Sequence, residues 1–272
     1  MTCSLGFIGF GRMATAIWEG YLAANGSAFS TLGAYEIDPD RSGHIQDQYG
    51  ILPCHLKDLI QDYDIIFIAI KPQQLDPVLS ELAKHALPKQ KRPLIISILA
   101  GIPIRQFESV LGPDTPVLRV MPNTPALLGH GMSVLSFNAH VQPEHRTLST
   151  QLFESVGDVI SLDESHMDTV TGISGSGPAF LYRLAHQIAE AGSQNNLDYP
   201  TALRLVAQTM IGAGHMLQTY PDPQSLIKQV SSPNGTTVAG LNQFNQTQID
   251  MDIQTVIQAA IQRAQELGNT ST

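Results

Sequence analysis

Gly9, Gly11 and Ala14 stand in a Gly-x-Gly-x-x-Ala pattern within "GFIGFGRMA", directly after an apolar run and at the start of a helical one. That spacing suits a dinucleotide. The first glycine makes a tight turn, the second lets the backbone approach a pyrophosphate, and the third small residue lets helix and strand pack closely. The helix N-terminus then offers free N–H groups and a partial positive charge to the phosphates. A purely structural tight turn is the other reading. An acidic residue is expected about 20 positions on, where it would accept from the ribose hydroxyls of NAD and repel an added 2′-phosphate. Glu36 or Asp38 in "AYEIDPDR" fills that place, with Arg41 close by. Arg12 can reach an adenosine phosphate or stand as a solvated surface residue.

Two further stretches gather small residues and hydroxyls. In "GISGSGPAF", residues 172–180, the proline suits the first turn of a helix, where its missing N–H costs nothing. The glycines before it would let the chain turn tightly with donors exposed, and Ser174 and Ser176 could cap the helix or bond a ligand. "SSPNGTT", residues 231–237, repeats the design at the next helix junction. There Ser232, Gly235, Thr236 and Thr237 present hydroxyls and N–H groups suited to a carboxylate. Two capped helix starts without a ligand are the alternative. His166 stands just before the first stretch, where a helix-start histidine is usually structural.

The surrounding elements follow a βαβ rhythm. Apolar runs such as "IIFIAI" and "LIISIL" alternate with helical ones such as "RSGHIQDQYG", "QQLDPVLSELAKHA" and "IPIRQFESVL". Runs with no polar face belong in a parallel sheet covered on both sides, so a doubly wound Rossmann sheet is expected over residues 1–163. "VLRVMP", "GMSVLSF", a helix from Pro143 and "DVISL" complete it. From 164 to 272 the segments read as helices. They include "PAFLYRLAHQIAEAG" ending on a glycine stop, "TALRLVAQTMIGAGHML", a run from Pro223 and "IDMDIQTVIQAAIQRAQELG". Within "LRLVAQTMIGAGHML" apolar residues fall on nearly every side, which fits either a central helix or a subunit interface.

Composition narrows the function classes. The 272 residues carry a formal net charge of −9, and their fifteen lysines and arginines are scattered, which argues against a nucleic acid partner. Hydrophobic residues make up 43% and charged ones 14%, as in a globular soluble protein with room for wide interfaces. Cys3 and Cys54 are the only cysteines, so neither a disulfide framework nor a metal site is indicated. "MTCSLGFIGFGRM" lacks a basic leader, and its apolar run is too short for a signal or a membrane span, so a cytoplasmic protein is expected.

Together, "GFIGFGRMA", "AIKPQ", "ISILAGI", "RVMPNTPA", "VTGISGSGPAF", "SSPNGTT" and "AAIQRAQEL" resemble the pyrroline-5-carboxylate reductase family in order over almost the whole chain. The resemblance implies a Rossmann domain followed by an all-helical dimerisation domain, interleaved in a homodimer and often in rings of dimers. It implies NAD(P)H as cofactor, with Gly9, Phe10, Gly11, Arg12, Met13 and Ala14 in the phosphate loop and Ala69, Ile70, Lys71 and Pro72 lining the cleft. Ala100 and Asn123 would lie beside the nicotinamide, with Pro122 and Pro125 stiffening the loop. Ser176, Gly177, Ser232, Gly235, Thr236 and Thr237 would hold the small acidic substrate.

Two departures stand out. Asn234-Gly235 replaces the family's usual Gly-Gly, which puts Asn234 in a left-handed conformation that asparagine tolerates. The family's ribose-contacting asparagine is replaced around Leu56, and with Glu36 this turns the NADPH preference common in relatives toward NADH. No His or Glu in the motifs offers itself as proton donor, so the substrate would bind as its iminium or take a proton through water, with the Thr237 hydroxyl on the ring nitrogen. A related imine reductase or β-hydroxyacid-dehydrogenase-like enzyme would use a helix lysine, but none occurs between Arg92 and Lys228. A nucleotide-binding protein without turnover is the remaining reading.

Overall fold

The computed structural model describes residues 3–26, 29–85 and 92–269. The strands are β1 (Ser4–Ile8), β2 (Thr31–Tyr35), β3 (Leu52–Pro53), β4 (Ile65–Ile68), β5 (Leu94–Ser97), β6 (Val117–Met121), β7 (Gly131–Phe137) and β8 (Gly157–Ser161). They form one eight-stranded sheet in the order β3-β2-β1-β4-β5-β6-β7-β8. The helices among them are α1 (Arg12–Asn25), α2 (Pro39–Tyr49), α3 (Leu56–Asp62), α4 (Leu75–Ala83), α5 (Ile104–Leu111) and α6 (Pro143–Glu154). The fold is the mostly parallel, doubly wound Rossmann type. Ala86, the last residue of the helical run expected from Gln73, lies outside the described residues, as do residues 1 and 272 of the expected domains.

Every residue of β1, β4 and β5 is buried, as their unbroken apolar runs require. Alternate side chains feed two cores, one on each face. Phe7, Phe67, Trp18 and Phe153 belong to the first, and Ile8, Ile66, Ile68 and Phe107 to the second. Phe7 of β1 stands in register with Phe67 of β4, their rings 5.6 Å apart. Burying each such ring contributes about 1.5–3 kcal/mol. One pairing breaks the parallel rule: β7 runs antiparallel to β6, and β8 then pairs parallel with β7. Residues 122–130 between them are too few for a crossover helix, so the chain turns back on itself.

After β8 come α7 (Met167–Val170), a π-helical turn (Thr171–Gly175), α8 (Gly177–Gln194), α9 (Tyr199–Thr219), α10 (Pro223–Gln229), α11 (Thr236–Phe244) and α12 (Ile249–Asn269). By compactness the chain falls into two units. One comprises the residues up to Ser176 together with those from Ala259 on, and the other is Gly177–Gln258. In the first, the end of α12 presses on the loop after β5, where Ala264 and Leu267 pack against Gly101. In the second, α8 and α9 share a small core of Ala185, Ala189, Ala202 and Val206.

The glycine stop expected at Gly192 is corrected: α8 runs through it to Gln194. A Cβ there would sit 3.0 Å from the Ala202 Cβ, so the small residue serves close helix packing. Among the described residues no helix is long and apolar enough to cross a membrane.

Candidate active site

The sheet reverses its strand order where β1 lies between β2 and β4, which opens a crevice at the carboxyl ends of the strands. The loop from β1 to α1 is tied to both neighbours. The Gly9 N–H donates to the Tyr35 carbonyl and the Ala69 N–H to the Ile8 carbonyl, each at 2.9 Å. Gly9 has φ +79°, and a Cβ would lie 2.7 Å from Ile70 Cγ2 and 3.1 Å from the Ala69 carbonyl. Position 9 is therefore closed to other residues by both conformation and space. Phe10 turns its ring into the core, 4.9 Å from Phe7, so only its backbone faces the loop.

Gly11 is the N-cap of α1, and a Cβ there would meet only the Arg41 guanidinium, 3.9 Å away. The first bond of that helix is Thr15 N–H to the Gly11 carbonyl, 2.9 Å. The N–H groups of Arg12, Met13 and Ala14 ahead of it have no acceptor among the described residues, and Ala14 is fully buried against the strand. A groove of about 920 Å³ opens beside them, with Glu36, Arg41, Ala69, Ile70, Lys71 and Ile98 on its walls. The three unsatisfied donors and the space kept by glycine fit a dinucleotide pyrophosphate.

Glu36 follows β2 with its side chain only 14% exposed. Its carboxylate accepts from the Phe10 N–H at 3.3 Å and the Ile37 N–H at 2.9 Å, and it lies 3.7 Å from Arg41 Nε. Arg41 in turn donates to the Phe10 carbonyl at 2.5 Å. The acidic residue is thus locked to the phosphate loop. Asp38 takes another task, capping α2 through the N–H groups of Asp40 and Arg41. Leu56 starts α3, buried, and also reaches the groove. Pro72 opens a short 3-10 turn beyond the groove wall, and the Gln74 side chain accepts from the Lys71 N–H at 3.1 Å.

Ala100 and Asn123 stand past the ends of β5 and β6, outside the walls of this groove. Asn123 donates from Nδ2 to the Ser174 carbonyl and hydroxyl, both 3.3 Å, and accepts from the Met132 N–H at 2.9 Å. It therefore joins the β6–β7 turn to the π-turn.

The helix start expected in "GISGSGPAF" is found, with Pro178 in the first turn of α8, but the tight turn with exposed donors ahead of it is corrected. Residues 171–175 form a π-turn and Ser176 itself has helical dihedrals. Its N–H donates to the Thr171 carbonyl at 2.8 Å, so it is not available to an anion. The glycines serve a wide helical turn and a close approach, with no left-handed φ among them. The Ser176 hydroxyl has no partner among the described residues. His166 ends the short turn before α7 and is exposed.

The second stretch does open a helix. Ser232–Gly235 form a turn closed by the Gly235 N–H on the Ser232 carbonyl at 3.0 Å, and Asn234 has φ +61°, the expected left-handed form. Gly235 caps α11 without a side-chain bond, and the first bond of that helix is Ala239 N–H to the Gly235 carbonyl. The N–H groups of Thr236 and Thr237 lie ahead of it, and both residues are exposed. Gly177, Ser232, Gly235, Thr236 and Thr237 belong to the helical unit, Ser176 and the groove residues to the sheet unit.

Sequence reasoning missed Arg119 in β6. It is 4% exposed and paired with Asp168 at 2.7 Å and Glu164 at 3.4 Å. The signal was present: a lone arginine within the apolar run "VLRVM".

Residues 164–267 match the family described as pyrroline-5-carboxylate reductase dimerisation, and residues 4–101 match the one described as NADP oxidoreductase, coenzyme F420-dependent. The pyrroline-5-carboxylate reductase of Pseudomonas aeruginosa is 37% identical over 98% of this chain and 97% of its own. The solved 1-pyrroline-5-carboxylate reductase of Streptococcus pyogenes superposes with a TM-score of 0.85 at 30% identity, covering 97% of this chain and 99% of that one. The Plasmodium falciparum enzyme, solved with NADP bound, gives a TM-score of 0.83 at 28% identity over 98% of this chain and 100% of that one. With a dinucleotide cradle at its N-terminus and this likeness over nearly its full length, the chain belongs to the pyrroline-5-carboxylate reductase family.

Proposed function

We propose that this protein reduces 1-pyrroline-5-carboxylate to L-proline, the last step of proline biosynthesis, using NAD(P)H. The observation that carries the reading is the Gly9–Gly11 cradle with its acceptor-free amides in a chain 37% identical to a reductase of that name. Bound there, the reduced nicotinamide supplies the hydride. Arg12, Met13 and Ala14 hold the pyrophosphate through backbone N–H groups. Ala69, Ile70, Lys71 and Pro72 flank the dinucleotide, and Ala100 and Asn123 border its reactive ring.

The chain's own part in the reaction is orientation. The substrate has one carboxylate and one C=N bond. The hydride adds to the imine carbon and the nitrogen ends with a proton, giving a secondary amine. The first-turn amides of α11, with the hydroxyls of Ser232 and Thr236, grip the carboxylate as a helix N-terminus grips any anion. Ser176 and Gly177 contribute a hydroxyl and a side-chain-free backbone. The Thr237 hydroxyl would accept from the protonated ring nitrogen and so orient the iminium for reduction.

Glu36 favours NADH, because a carboxylate at the end of β2 meets ribose hydroxyls well and a 2′-phosphate badly. Oxidation of NADH and of NADPH with pyrroline-5-carboxylate tests both the activity and the preference. Turnover with neither cofactor would refute the reading, and a higher kcat/KM with NADPH would refute the preference. Thr237→Ala should lower kcat at least tenfold while the cofactor Kd stays within twofold. Unchanged turnover removes Thr237 from its role.

The protein assembles as a homodimer through its helices, and light scattering separates that dimer from a ring of dimers. We place it in the cytoplasm, where its cofactor and the thiols of Cys3 and Cys54 stay reduced.

A further inference from the structure

We propose that Arg119 is a positioning residue, which with Asp168 fixes the register of α7 and the π-turn along β6 and thereby sets Ser174 against Asn123. This rests on the reductase reading only for its effect on turnover.

Three contacts on alternate residues of β6 and its extension carry the inference. Arg119 pairs with Asp168, Met121 packs on Gly175, and Asn123 bonds Ser174. Residues i, i+2 and i+4 of an extended chain share one face, so the segment from α7 to the π-turn lies along a single side of this strand. The contact at Gly175 leaves no space: an added Cβ would overlap Met121 Cε. Arg119 itself is given room by its neighbours. Its partners in register are Ser97 on β5 and Ser136 on β7, both buried and both small.

The arginine also holds Glu164, whose carboxylate accepts from the Ile104 N–H at 2.7 Å at the start of α5. One buried guanidinium therefore ties β6 to two points of the segment that leads into the π-turn. A π-turn contains one residue more than an α-turn, and such turns concentrate at functional sites. Sliding the segment by one residue would restore an α-helix and carry Ser174 away from Asn123. The ion pair at 119–168 and the amide contact at 123–174 bracket the turn and oppose that slip.

Removing Arg119 alone would leave two partly buried carboxylates without their counter-charge and a gap in the strand face, which risks the fold. The informative variant is R119M/D168L, which replaces the pair by apolar side chains. It should melt within a few degrees of the wild type and bind cofactor within twofold, with kcat on pyrroline-5-carboxylate down at least tenfold. Amide exchange over residues 171–176 should be at least tenfold faster. D168N, which keeps shape and removes charge, should lower kcat at least threefold with the same exchange signature.

Wild-type kcat and wild-type exchange in the double variant overturn the proposal. If the double variant does not fold, the same result in D168N overturns it. Should the wild type turn over no pyrroline-5-carboxylate, the reductase reading falls, and the exchange rates alone still decide the positioning claim.

Discussion

The sheet and the helices from α8 to α10 close their apolar surface in opposite ways. Strands β1, β4 and β5 have no exposed residue, and their side chains are shared between two internal cores. On α8, Leu181, Leu184 and Ile188 recur at helical spacing and are each about half exposed, beside the buried Ala185 and Ala189. Tyr182 is 63% exposed, and Leu205 on α9 is 58% exposed. An apolar stripe beside an alanine seam is a surface made to be covered. The first region is completed by its own chain, whereas the second leaves an apolar stripe uncovered. That division suits the proposed chemistry, since a cradle must be rigid before the cofactor arrives.

The largest way to break the comparison is to charge the stripe. Leu184→Glu with Ile188→Glu should abolish the dimer outright by light scattering, while cofactor binding to the cradle persists. A dimer of normal affinity in that variant would mean that the stripe is not the interface. Next in size is Gly9→Val. Left-handed strain and contact with Ile70 and the Ala69 carbonyl should weaken cofactor binding at least tenfold, about 1.4 kcal/mol, without changing the oligomer. Calorimetric titration reads the affinity, and an unchanged Kd would deny the cradle its role.

The smallest effect sharpens the contrast within the helical unit. Asp198 caps α9 by accepting from the Thr201 N–H at 3.0 Å, and the Thr201 hydroxyl together with that N–H holds its carboxyl below the usual carboxylate range. A depressed folded-state value stabilises above the unfolded value of about 4 and fades as pH falls through the lower folded one. Asp198→Ala should therefore lower Tm by a few degrees at pH 7, with the gap closing in stronger acid. Asp198→Asn, which keeps an acceptor, should show little of either change. A gap independent of pH would assign the loss to something other than the charged cap.

Much of this could be read along the chain. The Gly-x-Gly-x-x-Ala run, the acidic residue after β2 and the unbroken apolar strands each state a local requirement that one residue type meets. The left-handed Asn234 belongs with them, because few residues with a side chain accept that conformation. The turn-back of β7 was hidden, since an antiparallel neighbour in a buried sheet needs the same apolar run as a parallel one. "GISGSGPAF" misled only ahead of its helix, because its glycines suit a tight turn with open donors and a wide helical turn alike. What separated them was Met121 pressing on Gly175, a contact between residues far apart in sequence.

The sequence by itself determined the sheet class, the glycine-bearing turn after β1, the helical second half and the family, because backbone freedom, apolar period and capping act within a few neighbouring residues. Only the tertiary structure decided that Glu36 is bound to the β1–α1 loop, that Gly192 packs against Ala202, and that Arg119 meets Asp168 across the face of β6. Each of those depends on which distant groups share a desolvated space. A buried charge or a missing Cβ gains its meaning there from the partner that folding brings to it.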